Sequence, residues 1–280
     1  MSAACWRNRL FAMPVMITDV YHHDPLLGED FSSISMVNRS GYWQAVAWPC
    51  LPTLGAADLF DVCEATLLDI REDTAADPVA LVQWDAMDSV SVFDLIPDSH
   101  CPLPGTVLQT CELIKSISSV PLRHLMAKVL RTPDVHQTFW ECSASLTHHH
   151  AFPGGLALHS LEVAVAGENV RALDSWQRDL VIVYALLHDI GKVWSYSNGI
   201  LSRECRRLGH ELIGYRKLKP LLAMLQQEDE QTGATLDALL SGTWKRSFQH
   251  PAAALGEIVR AMDRFSAARG VGNAPTCSAG

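Results

Sequence analysis

Residues 148–159 read HHHAFPGGLALH, and residues 186–192 read LLHDIGK. The first stretch leads three histidines into a Pro-Gly-Gly turn and places His159 at the start of an apolar run. The second puts His188 next to Asp189 at the end of another apolar run. Imidazole and carboxylate groups are ligands for divalent metals. The two stretches therefore predict helices that carry a metal site, whereas a histidine-rich loop before a core helix would account for residues 148–150 alone.

The chain around these stretches has helical hydrophobic spacing from residue 106 onward. Eight helices are predicted, over residues 106–117, 121–130, 133–142, 156–173, 176–188, 205–226, 233–240 and 252–268. Residues 180–187 could instead form a buried strand, because Val, Ile and Tyr are enriched there. The length of the run and its helical neighbours favour a helix. We expect residues 194–204 to form a loop or a short hairpin.

The first hundred residues have the pattern of short strands separated by turns. Five strands are predicted, over residues 13–20, 31–37, 42–48, 60–70 and 79–84, with a sixth candidate at 89–95. Such a set forms a small barrel or sandwich, and we favour an OB-like barrel. Four aromatic side chains of this region could stack on nucleic-acid bases. We favour the alternative that they fill the barrel core or a domain interface. They are Tyr42, Trp43, Trp48 and Trp84.

The stretch PDSHCPLPG at residues 97–105 holds three prolines and a glycine, which is typical of a linker. The predicted fold class is therefore α+β, with a small N-terminal β-barrel followed by an all-α helical bundle. We expect domains at residues 1–105 and 106–270, followed by a frayed tail at 271–280.

Composition excludes several classes of protein. The chain has 280 residues, of which 48% are hydrophobic, so it can bury one large core or two modest ones. It has no uninterrupted apolar run of about 18 residues and no clear signal peptide, so we expect no membrane span. The eight cysteines are scattered and form no CxxC pair, which argues against a zinc finger or a disulfide framework. A cytoplasmic location fits best.

Charge is distributed unevenly along the chain. Residues 1–105 contain 4 basic and 15 acidic residues, a net charge of −11, while residues 106–280 contain 18 basic and 16 acidic residues, a net charge of +2. An acidic domain repels a phosphate backbone, and affinity for nucleic acid depends largely on basic side chains. The charge therefore argues against nucleic-acid binding by the first domain. Its acidity would suit a basic partner or the basic region of a second copy, which makes a homo-oligomer one expectation.

The predicted bundle would bring two imidazoles and two carboxylates together. His159 lies on one helix, His188 and Asp189 at the end of the next, and Asp263 on the last. Such mixed ligation suits Mn, Fe, Co, Zn or Mg, and the pattern does not choose among them. A metal so held can activate water and neutralise charge on a phosphate oxygen. Lys192 could meet the phosphate as a point charge.

These residues occur in a recognisable order. The pattern of His159, His188-Asp189 and Asp263 resembles the HD-domain superfamily of metal-dependent phosphohydrolases. The segments HHHAFPGGLALHSLEVA, LLHDIGKVW and LGHELIGY resemble YhaM-type 3'-5' exoribonucleases and, equally, the HD domain of TraI-type conjugative relaxases. The resemblance covers roughly residues 106–268, and the strands before it resemble the OB-fold of YhaM-type enzymes in layout only.

The resemblance implies that His159, His188, Asp189 and Asp263 are the core metal ligands. It implies an additional ligand at His210, which two-metal members of the superfamily use. Those members also carry a His-His pair further on, and this chain has Ala-Leu-Leu-Ser at the corresponding residues 238–241. We therefore expect one tightly held metal, with a weakly held second metal or a degenerate site as alternatives.

Other residues would lie on the substrate side of the metal. His149 and His150 match the double histidine of the family, which implies phosphate contact or proton transfer. Arg203, Arg206 and Arg207 belong to a basic cluster near His210, which either attracts a phosphate-bearing substrate or is one solvated helix face.

Three functions remain open at this point. The first is a metal-dependent phosphodiesterase, most concretely a 3'-5' exonuclease on single-stranded RNA or DNA. The second is a phosphohydrolase of small nucleotides, which needs no basic binding surface. The third is a non-catalytic HD-like accessory module of a conjugation or mobile-element system. The missing His-His pair and the acidic first domain count against the first function.

Overall fold

The computed structural model describes residues 9–23, 30–48, 59–70, 78–147, 149–197 and 200–270. The chain divides into two compact units, residues 1–99 and residues 100–280. The domain boundary expected at residue 105 stays a prediction. The tail expected at residues 271–280 lies outside the described residues, as does His148.

The first unit is built on five strands whose pairing closes into a barrel, in the order β1-β2-β3-β5-β4. The strands are β1 (Arg9–His22), β2 (Ser32–Asn38), β3 (Gly41–Ala47), β4 (Val62–Asp69) and β5 (Val79–Ala86). All pairs are antiparallel except β3 with β5, and β1 pairs with both β2 and β4. This arrangement confirms the expected N-terminal β unit and fits the OB-like layout.

The barrel core is made by alternate residues, because successive side chains of a strand point to opposite faces. Small and branched side chains from every strand turn inward, for example Val15 and Ile17 on β1 and Cys63, Ala65 and Leu67 on β4. Trp43 and Trp84 also pack against this core, as the core interpretation of the aromatics expects. By contrast, Tyr42 and Trp48 have about half of their surface exposed, at 53% and 49%.

The second unit is helical, which confirms the predicted change of class along the chain. Its helices are α1 (Thr106–Lys115), α2 (Val120–Leu130), α3 (Pro133–His136), α4 (Thr138–Glu141), α5 (Gly155–Glu168), α6 (Ser175–Leu187), α7 (Arg203–Leu208), α8 (His210–Glu228), α9 (Glu230–Ser241) and α10 (Ala253–Gly270). A two-stranded hairpin, β6 (Tyr196–Ser197) and β7 (Ile200–Leu201), precedes α7. None of the described helices is long and apolar enough to cross a bilayer.

Three predicted elements differ from the structure. Residues 89–95 form no strand, because Ser91 caps a single 3-10 turn at Val92–Asp94. The long helix predicted over residues 205–226 is two helices, because Gly209 at φ 77° separates α7 from α8. Residues 133–142 form two short helices rather than one. Residues 180–187 are helical, and the alternative of a buried strand is wrong.

The ends of α5 and α6 determine where the candidate ligands lie. Helix α5 begins after Gly154, which adopts φ 83°, a conformation that favours glycine. Helix α6 begins with a capping box in which Asp174 and Gln177 exchange side-chain and backbone hydrogen bonds. It ends at Leu187, so His188 is the C-cap residue and the next residue, Asp189, leaves the helical direction. The two side chains can therefore point to one centre.

Candidate metal centre

Four predicted ligands converge inside the helical unit. His159 lies on α5 and is completely buried, with 0% of its surface exposed. His188 and Asp189 follow α6 and are part-buried and buried, respectively, and Asp263 lies on α10. The three elements pack against one another, since both α5 and α6 contact α10. The side chains thus come from distant parts of the chain to one place.

Distances between these side chains are those of ligands around a common point. Nε2 of His159 lies 3.1 Å from Oδ1 of Asp263 and 3.7 Å from Oδ2 of Asp189. Nε2 of His188 lies 3.5 Å from Oδ2 of Asp189 and 3.9 Å from Oδ1 of Asp263. Ligand atoms about 2 Å from one ion are spaced like this. His159, His188 and Asp189 form one of two clusters in the described chain that could hold a metal.

Hydrogen bonds on the far side of each ring orient both histidines. Nδ1 of His188 lies 2.7 Å from the carbonyl oxygen of Ala185, which can only accept, so Nδ1 carries a proton and the neutral tautomer has its lone pair on Nε2. Nδ1 of His159 bonds the hydroxyl of Ser266 at 3.0 Å. Both Nε2 atoms are buried and make no aligned hydrogen bond with any residue the structure describes. Buried lone pairs without donors are costly unless something binds them, so the donor set fits a divalent metal.

Electrostatics in the centre support the same chemistry. Burial lowers the pKa of His159, although the neighbouring Asp263 opposes this, so the ring is neutral and can donate its lone pair. Burial alone would raise the pKa of Asp189, but His188, His210 and Lys192 outweigh it and hold the pKa well below its usual value. The pKa of Asp263 is lowered in the same way by His159 and His188 against the effect of burial. The two carboxyl groups are therefore ionised near neutral pH.

Asp189 is contacted on both of its oxygens. The ammonium of Lys192 lies 2.5 Å from Oδ2, the oxygen that also faces the two histidines. Nε2 of His210 lies 3.0 Å from Oδ1. Lys192 is buried, with 8% of its surface exposed, so it points into the centre rather than to solvent. His210 sits at the first position of α8 and is part-buried, so its ring lies between Asp189 and the surface.

Gly191 makes this contact between Asp189 and His210 geometrically feasible. A Cβ built on Gly191 would lie 1.9 Å from the carbonyl oxygen of His210 and 2.7 Å from the amide nitrogen of Gly214. The turn after Asp189 therefore lies directly against the start of α8, and only a residue without a side chain fits there. The residue pattern alone does not predict this close approach, because it depends on how α8 packs against the turn.

The loop before α5 brings His149 and His150 close to His159. The ring centroids of His149 and His150 lie 5.2 and 5.3 Å from that of His159, and the three histidines form the second candidate metal cluster. A Cβ on Gly155 would lie 2.1 Å from the carbonyl oxygen of His150, so the loop packs tightly on the start of α5. His150 is buried and has φ 53°, a strained value for a residue with a side chain.

The two predicted substrate-side histidines differ in environment. His149 is part-buried, whereas His150 has 4% of its surface exposed and its Nε2 lies 3.3 Å from Oε2 of Glu162. Burial and the nearby His159 lower the pKa of His149, with further contributions from His150 and Lys192. His149 is thus the better placed of the two to meet a substrate.

The three arginines of the basic cluster lie on α7 and are exposed. Arg206 donates to the carbonyl oxygen of Leu201, and no contact between the described residues joins Arg203, Arg206 or Arg207 to the histidines. A cavity of about 230 Å³ opens beside His210, and its lining includes Leu240 and Ser241. These two residues belong to residues 238–241, the segment that the resemblance to two-metal members aligns with their His-His pair, and His210 is the only imidazole among the described residues that line the cavity.

Two residues near the centre were not singled out by the sequence analysis. Glu162 follows His159 by three positions on α5, and Ser266 follows Asp263 by three on α10, so each shares a helix face with a candidate ligand. Ser266 donates to Oε2 of Glu162 at 2.6 Å. The three-residue spacing from each candidate ligand could have indicated these two residues from the sequence. The contact between Glu162 and Ser266 was not predictable in this way, because it depends on how α10 packs on α5.

Comparison with known proteins finds a family match within the helical unit. Residues 156–268 match the HD domain family. The 3'-5' exoribonuclease YhaM of Halalkalibacterium halodurans is 26% identical over 192 residues, which is 65% of this chain and 59% of that protein. YhaM of Listeria monocytogenes is 22% identical over 250 residues, covering 86% and 79%, and YhaM of Shouchella clausii is 25% identical over 212 residues, covering 73% and 66%. The HD domain and these similarities support a metal-dependent hydrolase.

Proposed function

We propose that this chain, whose residues 156–268 form an HD domain, is a metal-dependent phosphodiesterase acting as a 3'-5' exonuclease on single-stranded nucleic acid. One observation carries the proposal: the Nε2 atoms of His159 and His188 are buried, lack aligned hydrogen bonds among the described residues and face the carboxylates of Asp189 and Asp263. We propose these four residues as the ligands, with His210 as an additional one.

A divalent ion held there supplies an activated water and neutralises charge on a phosphate oxygen. The chain's own groups prepare the site for that ion. Ala185 and Ser266 hold the two histidine rings with Nε2 inward. Against the effect of burial, His188, His210 and Lys192 hold the pKa of Asp189 well below its usual value, so its carboxylate is ionised although the residue is buried. We propose that one ion is held tightly, because the described residues that line the cavity beside His210 include no His-His pair. The donor set suits Mn, Fe, Co, Zn or Mg.

Residues other than the proposed metal ligands would act on the substrate. We propose that His149 contacts the phosphate or transfers a proton, since imidazole can do either near neutral pH. His150 shares this predicted role, although its position against Glu162 leaves it less accessible. Lys192 balances the charge of Asp189 and is available to a phosphate bound at the centre. Arg203, Arg206 and Arg207, exposed on α7, would attract the backbone of a single strand.

The substrate class rests on the similarity to YhaM, whose name describes a 3'-5' exoribonuclease. A second candidate is hydrolysis of small nucleotides, which the net charge of −11 in residues 1–105 favours, because an acidic N-terminal part does not help to hold a long polyanion. An accessory role in conjugation, a relation to TraI-type relaxases, a cytoplasmic location and a homo-oligomer stay predictions.

A nuclease assay tests the proposal. Single-stranded RNA and DNA labelled at the 5' end are incubated with the protein and Mn²⁺, alongside a panel of mononucleotides and dinucleotides. Stepwise shortening of the labelled strands supports the exonuclease. Hydrolysis confined to the panel supports the second candidate. His188→Ala and Asp189→Ala should remove either activity, while His124→Ala, a surface histidine paired with Glu228, should keep it. Protein that holds no metal after Mn or Fe supplementation would contradict both enzymatic functions.

A further inference from the structure

Glu162 occupies a junction between two histidines that face the candidate metal centre. Its Oε2 atom lies 2.6 Å from Oγ of Ser266 and 3.3 Å from Nε2 of His150. Ser266 in turn contacts Nδ1 of His159 at 3.0 Å, and His150 contacts Nδ1 of His149 at 3.4 Å. A single carboxylate oxygen therefore connects two short hydrogen-bonded chains, each of which ends on an imidazole.

The proton positions along the first chain follow from counting donors. A hydroxyl has one proton, and Ser266 gives it to Glu162, because an ionised carboxylate can only accept. Oγ of Ser266 must then accept at its 3.0 Å contact, so Nδ1 of His159 carries the proton. The lone pair of His159 is consequently on Nε2, the atom that faces Asp263 and Asp189.

The second chain gives the same result for His149. With Nε2–H of His150 directed at Glu162, a neutral His150 has its lone pair on Nδ1. The contact at 3.4 Å then requires that His149 donate from Nδ1. His149 keeps its lone pair on Nε2, where it can accept a proton or bind a metal.

We propose that Glu162 is a positioning residue that sets the tautomers of His159 and His149 together, so that both rings have their lone pair on Nε2. This inference rests on the metal site proposed above, and Glu162 itself touches neither substrate nor metal. Partners behind a ligating histidine fix its tautomer and orientation, and their loss typically weakens metal binding about 10- to 100-fold.

The structure contains an internal comparison for this role. His188 receives its orientation from the carbonyl oxygen of Ala185, independently of Glu162.

The two hydrogen-bonded chains also allow matched variants to be compared. Ser266→Ala interrupts only the chain to His159, whereas Glu162→Met removes the acceptor of both chains at similar side-chain size. Glu168→Met is the control, because Glu168 lies on the same helix but pairs with Arg178 at 2.6 Å.

Long-range ¹H–¹⁵N NMR of the metal-free protein reads each histidine tautomer directly. We expect His159 to change from a single Nδ1–H form to a mixture in Ser266→Ala, and both His159 and His149 to do so in Glu162→Met. His188 should keep Nδ1–H in every variant, and Glu168→Met should match the wild type. A merely structural role of Glu162 would not produce this residue-by-residue pattern.

Calorimetric titration with Mn²⁺ alone provides a second readout. The dissociation constant should rise about 10- to 100-fold in Ser266→Ala and Glu162→Met and stay unchanged in Glu168→Met. If His159 keeps a single Nδ1–H form in Ser266→Ala, the proposal is wrong, and this variant decides even if Glu162→Met does not fold. The spectra involve no hydrolysis, so a failure of the proposed phosphodiesterase function would be seen separately.

Discussion

Nε2 of His159, on α5, lies 3.1 Å from Oδ1 of Asp263, on α10. The imidazole is completely buried, while the carboxylate has 37% of its side-chain surface exposed. Asp263 therefore forms the boundary between the buried candidate ligands and solvent. A substrate reaching the centre would pass this carboxylate and the adjacent His149. The accessible side of the site is thus the side that α10 and the loop before α5 share.

His149→Ala should reduce hydrolysis while leaving metal binding nearly intact. General acid–base groups contribute about 10²- to 10⁴-fold to rate, so we expect kcat to fall by that order if His149 transfers a proton. Hydrolysis of a labelled strand and Mn²⁺ titration measure the two effects. His124→Ala, on the surface of α2, is the control. Equal loss of Mn²⁺ binding and of activity in His149→Ala would make His149 a ligand instead.

Removing the three exposed arginines of α7 should weaken binding of single strands. In an Arg203→Gln, Arg206→Gln and Arg207→Gln triple variant, the slope of log K against log salt should decrease by about 2, because each phosphate contact on a single strand contributes about 0.7. Fluorescence anisotropy with a labelled strand at several salt concentrations measures this slope.

The exposed Arg171, which lies after α5, supplies the matched control as Arg171→Gln. Hydrolysis of mononucleotides should be unaffected in the triple variant, because a small substrate does not span α7. An unchanged salt slope would show that these arginines are a solvated helix face.

Gly191→Ala should destabilise the helical unit and disturb the site. The added methyl group would meet the carbonyl oxygen of His210 at 1.9 Å, so the turn after Asp189 must separate from α8. Overpacking of this kind costs about 1–3 kcal/mol of unfolding free energy, which denaturant unfolding measures. Gly209→Ala, where a Cβ would meet nothing within 4 Å, should cost stability only through its backbone conformation, φ 77° and ψ 152°, and should leave Mn²⁺ binding at the centre unchanged. Wild-type stability and Mn²⁺ binding in Gly191→Ala would contradict the close approach.

The free energy of unfolding should decrease in mild acid because of a buried pair of histidines that are not candidate ligands. The rings of His100 and His136 lie 4.9 Å apart and are buried. Burial lowers the pKa of each to about 4, with the charge of His136 lowering that of His100 further. Each ring therefore binds its proton more readily when unfolded, near pH 6.5, than when folded. The stabilisation is complete above pH 6.5 and is lost as the pH falls toward 4.

Between pH 7 and pH 5 we expect a loss of about 2 kcal/mol of unfolding free energy per histidine. Carboxyl groups with lowered pKa values, such as Asp263, act only below about pH 4, so they do not contribute in this window. Denaturant unfolding at several pH values measures the slope. A His100→Phe and His136→Phe double variant should have a distinctly smaller slope than the wild type, and identical slopes would contradict the assignment.

Much of this architecture is predictable from local pattern. Alternation in the strands and helical spacing after residue 105 predict the two classes of structure, and the apolar runs beside His159 and His188 place those residues on adjacent helices. Spacing does not reveal that Gly209 ends α7, because a lone glycine is tolerated inside many helices. It also does not reveal the partners Ser266 and Ala185, because those contacts depend on side-chain orientation and helix packing. The sequence therefore predicts candidate ligands better than it predicts what orients them.

The central claim is that His159, His188, Asp189 and Asp263 hold one divalent metal, and calorimetric titration of the wild type and Asp263→Asn with Mn²⁺ tests it most directly. The substitution keeps the shape of the side chain and removes its charge. We predict one tight site in the wild type and binding weakened at least about a hundredfold in Asp263→Asn, because losing a direct ligand should cost no less than losing a partner behind one. Equal Mn²⁺ affinity in the two proteins, or no binding by the wild type, would contradict the claim.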